Sequence, residues 1–190
     1  MHKVPKGRYG YISYERKVQT LVTILLVGGA AAVYAAALLW LGTNQNYFTI
    51  AAVLLLLPGA RYLVNMVMFF RARGCSPSVY EGVEAHIGSL AGAYDLYMTA
   101  EKSNYAISHL ALCGKTIAAL TEDPKCDVPA GETHIRCMLQ QNGFHGYTVK
   151  IFTEPEKYYA RLASLNRLQG ESGAGDRQEE VLSLMKAISL

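Results

Sequence analysis

Histidine and cysteine residues in the second half of the chain are the first candidates for chemistry, because their side chains bind metals and act as nucleophiles. His134 and Cys137 are three residues apart, so a helix would place them on one face, and Cys126 and Cys113 are further candidates. The sequence has no Cys-x2-Cys pair, and the other spacings match no common zinc module. We therefore expect small buried cysteines and no metal or other cofactor. If a metal were bound, Cys126, His134 and Cys137 would be the candidate ligands.

Two other kinds of catalytic motif are incomplete in the sequence. The stretch GESGAG (170–175) lacks the Lys-Ser/Thr end of a phosphate-binding P-loop, and it follows a predicted helix instead of a strand. A Cys/His nucleophile is not specified either, since five histidines and four cysteines give many chance pairs. No complete catalytic constellation is predicted.

Arg61 is a candidate of a different kind, because it interrupts the apolar stretch LLLLPGARYLVNM (54–66). A charge inside a membrane span marks an ion or ligand site when a partner of opposite charge is present, but neither apolar stretch of the chain contains an acid. The alternative is that the long side chain snorkels to the cytoplasmic interface, about 10 Å away along the helix. We favour snorkelling and expect Arg61 to be an anchor.

Two apolar stretches in the first half of the chain predict a pair of membrane-spanning helices. Residues 18–42 contain no charge, and Leu21–Trp40 alone would rise about 30 Å as a helix, which matches the hydrocarbon core. Residues 47–70 are similar apart from one arginine, and residues 43–46 suffice only for an outer turn. A cleaved secretory signal is the alternative for the first stretch, but signal segments are shorter and a second span follows at once.

The distribution of charge predicts the orientation of these spans. Up to Arg73 the chain has eight basic residues and one acid, and after it ten basic residues and fourteen acids. Because Lys and Arg near spans resist translocation, we expect a multi-pass plasma-membrane protein with both termini in the cytoplasm, including the basic segment 1–17. Trp40 and Tyr47 would then anchor the outer interface, and Arg71 and Arg73 the inner one.

The remainder of the chain predicts a small cytoplasmic α/β domain over residues 74–169. Capping boxes, prolines near helix starts and helical spacing mark helices, and alternating apolar residues mark strands. The predicted elements are a helix over 76–93, a strand over 94–99, two strands over 105–123 that turn at Gly114-Lys115, a helix over 128–144, a strand over 147–152 and a helix over 153–169.

The predicted fold class is therefore a membrane α-helical hairpin of two spans plus a small α/β domain of order α-β-β-β-α-β-α. Residues 170–175 are expected to be a flexible linker. Residues 176–190 are expected to form an amphipathic helix, whose apolar stripe could dock on the domain, bind a partner helix or lie on the membrane.

The order α-β-β-β-α-β resembles the core of PD-(D/E)xK nucleases and their relatives. That family holds a metal ion and orients water with a carboxylate pair and a nearby lysine. The resemblance implies that Asp95, on the first strand, would act with Glu122, Asp123 and Lys125, which follow the third. The acid-x-Lys spacing of the family is absent, because in EDPK the lysine lies three residues after Glu122.

The stretches LTEDPKCD and VKIFTE also resemble small uncharacterised bacterial membrane proteins with a helical hairpin and a cytoplasmic α/β domain. We expect a membrane-anchored cytoplasmic interaction or scaffold domain, with a metal-dependent nuclease-like hydrolase as the alternative. The lipid bilayer is an expected partner, whereas nucleic acid is not, because the domain is acidic. Gly28 and Ala32, one helical turn apart, would let the second span or a neighbouring chain approach closely. A protein partner or a second copy could bind there or at the C-terminal helix.

Overall fold

The computed structural model describes residues 3–42, 47–100, 103–172 and 177–190. The chain divides into two compact units, and each is described by itself. The helical unit is Ser13–Arg71, and the α/β unit combines Met1–Ile12 with Ala72–Leu190.

The helical unit contains α1 (Tyr11–Leu41), apart from its first two residues, and α2 (Tyr47–Arg71). Both are long and apolar enough to cross a membrane, by length and composition. Helix α1 begins at Tyr11 and not at residue 18, so the end of the basic segment expected to precede the first span is itself helical. Helix α2 continues through Pro58, and the expected turn at 43–46 lies outside the described residues.

Small residues bring the two helices together. The buried ones recur at intervals of seven residues, which is the spacing of a packed helix seam: Thr23, Ala30 and Ala37 in α1, and Ala52 and Gly59 in α2.

At Gly59 the backbone of α2 comes so near to α1 that an added Cβ would lie 3.4 Å from Cγ2 of Val27. Gly28 and Ala32, in contrast, are exposed, and a Cβ added at Gly28 would meet nothing within 4 Å. The alternative that these residues pack against the second span is therefore wrong.

A mixed four-stranded sheet forms the centre of the α/β unit. Its strands lie in the order β1 (Ala91–Thr99), β2 (Asn104–Cys113), β3 (Thr116–Leu120) and β4 (Thr148–Phe152). The first three are antiparallel, and β4 pairs parallel to β3 after the crossover through helix α4 (Val128–Gln141). The predicted order of elements is confirmed.

Helices cover both faces of this sheet. Helices α3 (Pro77–Ile87) and α5 (Pro155–Ser172) pack on one face, and α4 with α6 (Gln178–Ile188) packs on the other. Strand β2 is therefore buried along nearly its whole length, which explains why its sequence is apolar without strict alternation.

The boundaries of some elements differ from those predicted. The first helix of the unit ends at Ile87, because Gly88 takes a positive φ of 55°, and β1 begins at Ala91. Helix α5 continues to Ser172, so the first residues of the expected linker are helical. Residues 173–176 lie outside the described residues.

The C-terminal helix docks on its own sheet. Val181, Leu182 and Met185 are buried in the core, and the backbone N–H of Leu190 donates to the carbonyl of Tyr97 in β1 at 2.7 Å. The apolar stripe of α6 is thus used within the unit, which is the first of the three alternatives considered for it. A period of 3.6 residues identifies an apolar face, but it does not identify what covers it.

Candidate functional site

Asp95 lies in the middle of β1 with an unusual backbone. Its φ is 55°, and it is the single non-glycine residue with positive φ in the described part of the chain. Pairing with β2 is regular on both sides of it, and the residue is only 2% exposed. A buried carboxylate requires hydrogen-bond partners. A strained backbone conformation persists only where the surrounding contacts hold it in place.

Backbone N–H groups from two other segments provide these partners. Oδ1 of Asp95 accepts a hydrogen bond from the N–H of Cys75 at 2.7 Å, and Oδ2 accepts one from the N–H of Ile12 at 3.4 Å. Burial raises the pKa of Asp95, while hydrogen bonds from Cys75, Ile12, Gly10 and Tyr11 oppose the rise. Since α1 begins at Tyr11, the carboxylate satisfies N–H groups that a helix start leaves without partners. Asp95 is therefore a capping residue supplied from a distant strand.

Aromatic packing holds the same N-terminal segment on the sheet. The ring of Tyr9 stacks on Tyr80 of α3 with centroids 4.1 Å apart, and Tyr80 in turn contacts Tyr94 of β1 at 5.3 Å. The backbone N–H of Tyr94 donates to the carbonyl of Gly7 at 2.9 Å. Residues 3–12 are thus part of the folded unit.

Glu122, just after β3, lies close to the same place. Its Oε2 accepts a hydrogen bond from the N–H of Ser76 at 3.0 Å, one residue after the N–H that Asp95 binds. Adjacent backbone nitrogens are at most about 4 Å apart, so Oδ1 of Asp95 and Oε2 of Glu122 are at most about 10 Å apart. The structure therefore places two of the four residues implied by the nuclease resemblance beside adjacent residues of one segment.

The other two residues of that set belong to a turn. Oδ1 of Asp123 accepts a hydrogen bond from the backbone N–H of Lys125 at 3.0 Å, which is the geometry of a local Asx-type turn. The side chain of Lys125 is exposed. Asp123 and Lys125 thus have a local structural role after β3.

Cys75 lies close to both carboxylates and was not singled out by its sequence context. Burial raises the pKa of its thiol to about 12, and the charges of Glu122 and Asp95 add to the effect. A thiolate is the reactive form of cysteine, so this environment suppresses nucleophilic chemistry. The short segment before α3 is instead a backbone donor for both acids.

The residues considered for a metal are distributed over separate surroundings. Cys126 packs against the core, and burial raises the pKa of its thiol. His134 packs beside the ring of Tyr105 at 5.5 Å, while Cys137 is exposed and accepts a hydrogen bond from Gln141. Among the residues that the structure describes, no three or more His, Cys, Asp or Glu side chains are grouped to hold a metal ion.

A buried histidine on β2 is a second titratable group that its sequence context does not single out. His109 is 0% exposed, and its Nδ1 lies 2.6 Å from the hydroxyl oxygen of Tyr158. Burial lowers the pKa of His109 to about 3, so the imidazole is neutral at physiological pH. Its Nε2 has no hydrogen-bond partner in the described part of the chain and points towards Gly92, where an added Cβ would lie only 2.7 Å away. A single histidine within an apolar strand does not indicate, from the sequence, that it will pair with a distant tyrosine.

Comparison of the chain with protein-family models, with curated proteins and with solved structures finds no match. Any functional proposal therefore depends on the geometry of the described residues alone. In that geometry the acids Asp95 and Glu122 bind backbone N–H groups, and His109 is a neutral core residue.

Proposed function

We propose that this chain is an integral membrane protein in which α1 and α2 cross the bilayer and the α/β unit is a cytoplasmic interaction or scaffold domain. The main support for the proposal is the distribution of exposed large apolar side chains. They are exposed along both α1 and α2, whereas in the described part of the α/β unit only Leu168 is. A soluble protein rarely exposes so large an apolar surface, and a bilayer would cover it.

The expected anchor residues have exposures that suit this placement. Trp40 is 94% exposed and Tyr47 is 89% exposed, as amphipathic rings at a membrane interface would be. Arg61 is exposed and forms no ion pair with another described residue, which supports snorkelling over an intramembrane ion site. Arg71 and Arg73 are also exposed.

The charge distribution supports an orientation with both termini in the cytoplasm. A membrane-impermeant maleimide applied to intact cells tests it with two cysteines. A cysteine introduced at Asn44 should react, whereas the exposed native Cys137 should react only after the cells are permeabilised. Labelling of Cys137 but not of position 44 in intact cells would contradict this orientation and support the opposite one.

A protein partner or a second copy of this chain would contact the exposed small-residue face of α1. Gly28 and Ala32 are exposed and would let another helix approach closely. Purification in a mild detergent should recover a stoichiometric partner or a dimer, and Gly28→Leu should release it. Leu57→Ala, a change at an exposed position of α2, is the control. Recovery of the monomer alone from both wild type and control would contradict this contact.

The convergence of Asp95 and Glu122 on adjacent backbone N–H groups favours one alternative, a metal-dependent nuclease-like hydrolase. Cleavage of DNA or RNA by the purified full chain with Mg²⁺ or Mn²⁺ tests it. Loss of a metal-dependent activity in Asp95→Asn and Glu122→Gln, with activity kept in Asp123→Asn, would establish the hydrolase. If the wild type cleaves nothing, or all three variants retain the same activity, the alternative fails.

A further inference from the structure

An open groove lies within the helical unit, where α1 begins and α2 ends. Its volume is about 370 Å³, and cationic side chains lie beside apolar ones in its lining, which consists of Arg16, Lys17, Thr20, Leu21, Ile24 and Phe70. The apolar members are more than half exposed. A ligand that fits this lining has an anionic group joined to a hydrocarbon chain.

The structure holds one cation of the groove in place. Nε of Arg16 donates to the carbonyl of Phe69 at 3.1 Å, and its Cζ lies 5.5 Å from the ring centroid of Phe70. The Oγ1 of Thr20 donates to the carbonyl of Arg16 at 2.7 Å. Because backbone and ring contacts fix the guanidinium, positive charge is positioned beside the groove before any ligand binds.

The second cation is open to an anion. Lys17 is exposed and forms no ion pair with any described residue. The acid nearest in sequence, Glu15, accepts a hydrogen bond from Gln19 at 3.0 Å. With Arg71 in the last turn of α2, this end of the unit has three cations and one acid. Its charge complements a phosphate group.

The position of the groove along α1 matches the layers of a bilayer. Lys17 precedes Leu21, the start of the predicted hydrocarbon span, by four residues or about 6 Å of helix. The polar headgroup layer is about 5–7 Å thick on each side of the hydrocarbon core. Lys17 is therefore at headgroup depth, while Leu21 and Ile24 are at the depth of the acyl chains. This step depends on the membrane placement proposed above.

We propose that this groove is a binding site for an anionic phospholipid. The lipid phosphate pairs with Lys17 and Arg16, and one acyl chain lies along Leu21, Ile24 and Phe70. A zwitterionic phospholipid, whose headgroup has no net charge, binds the same groove less tightly because its ammonium group opposes the two cations.

Lipid retention by the full chain tests the site. The protein is reconstituted into nanodiscs of equimolar phosphatidylglycerol and phosphatidylcholine with identical acyl chains, and the lipids that stay bound after release are counted by native mass spectrometry. The wild type should retain phosphatidylglycerol in preference to phosphatidylcholine. Lys17→Gln should reduce this preference about five-fold, the equivalent of about 1 kcal/mol for one basic residue at a membrane surface.

Two further variants separate a built site from general attraction. Arg61→Gln removes a charge that is expected to reach the same interface but does not line the groove, so it should reduce the preference less than Lys17→Gln does. Ile24→Trp should fill the groove and reduce lipid retention without changing the charge. Equal retention of the two lipids by the wild type, or equal losses in Lys17→Gln and Arg61→Gln, would overturn the site.

The membrane proposal is checked separately, by whether the chain stays in membranes during an alkaline carbonate wash. If it stays but shows no lipid preference, the lipid site fails while the membrane anchor stands. If the wash removes it, the anchor and the lipid site both fail.

Discussion

Replacement of His109 by Gln should remove most of the dependence of stability on pH between pH 6.5 and pH 5. The folded-state pKa of His109 is about 3, and that of a histidine in an unfolded chain is about 6.5. Between these values the unfolded chain binds one more proton than the folded chain at this residue. Stability therefore falls as the pH falls from about 6.5 towards 3, and the contribution is fully present above 6.5.

The size of the effect follows from the same two values. At pH 5 the unfolded imidazole is almost fully protonated and the folded one is almost fully neutral, so the wild type should lose about 2 kcal/mol of unfolding free energy relative to pH 8. His109→Gln keeps a polar side chain that can bind the hydroxyl of Tyr158, but it does not titrate. The difference between the two pH profiles isolates the imidazole, because other groups titrate equally in both proteins.

Urea unfolding of the full chain in a non-ionic detergent measures this difference. Near-UV circular dichroism of tyrosine reports mainly on the α/β unit, since nine of the 13 tyrosines lie in that unit. The variant will be less stable at every pH if its side chain packs poorly, but its profile should be flatter below pH 6.5. Parallel profiles for wild type and variant would refute the reasoning, because a buried imidazole that stays neutral cannot give them.

Three further changes have expected outcomes in the same detergent solution. Asn166→Ala removes hydrogen bonds to three backbone groups at the end of α3 and should lower the unfolding free energy by about 1–3 kcal/mol, whereas the exposed Ser164→Ala on the same helix should change it by less than about 0.5 kcal/mol. Met185→Ala, in the buried face of α6, should cost about 2–5 kcal/mol in the same urea titration, and an unchanged midpoint would mean that α6 is not docked. Gly59→Leu should destabilise the packing of α1 and α2 by about 1–3 kcal/mol relative to Gly28→Leu, as measured by thermal unfolding, and equal melting temperatures for the two variants would contradict the close approach at Gly59.

The sequence alone determined the order and kind of the elements. Apolar runs of sufficient length predicted two long helices, because one residue adds a fixed rise to a helix. The turn at Gly114-Lys115 was also predicted, and it is confirmed, because Cys113 and Thr116 pair across it. Gly114 takes a positive φ of 54° there, which glycine adopts without strain. These signals are local, so each can be identified within a short stretch of chain.

The roles of the acids were decided by the tertiary structure. Asp95 on a strand was predictable as a position, but its partners are Cys75, 20 residues away, and Ile12, 83 residues away. Glu122 likewise binds Ser76 at a separation of 46 residues. A carboxylate that holds a metal and one that caps a helix have the same sequence context, because the difference lies in which groups the fold brings to the oxygen atoms.

Burial was decided in the same way. The apolar stripe of α6 was evident from its spacing, but only folding places Met185 on the sheet rather than on a partner or a membrane. His109 titrates far from its usual range because β2 lies in the middle of the sheet, between helices on both faces. The sequence thus determined which elements form, since their signals are periodic and local. The tertiary structure decided which polar groups are satisfied and which surfaces remain exposed, since both depend on contacts between residues far apart in the chain.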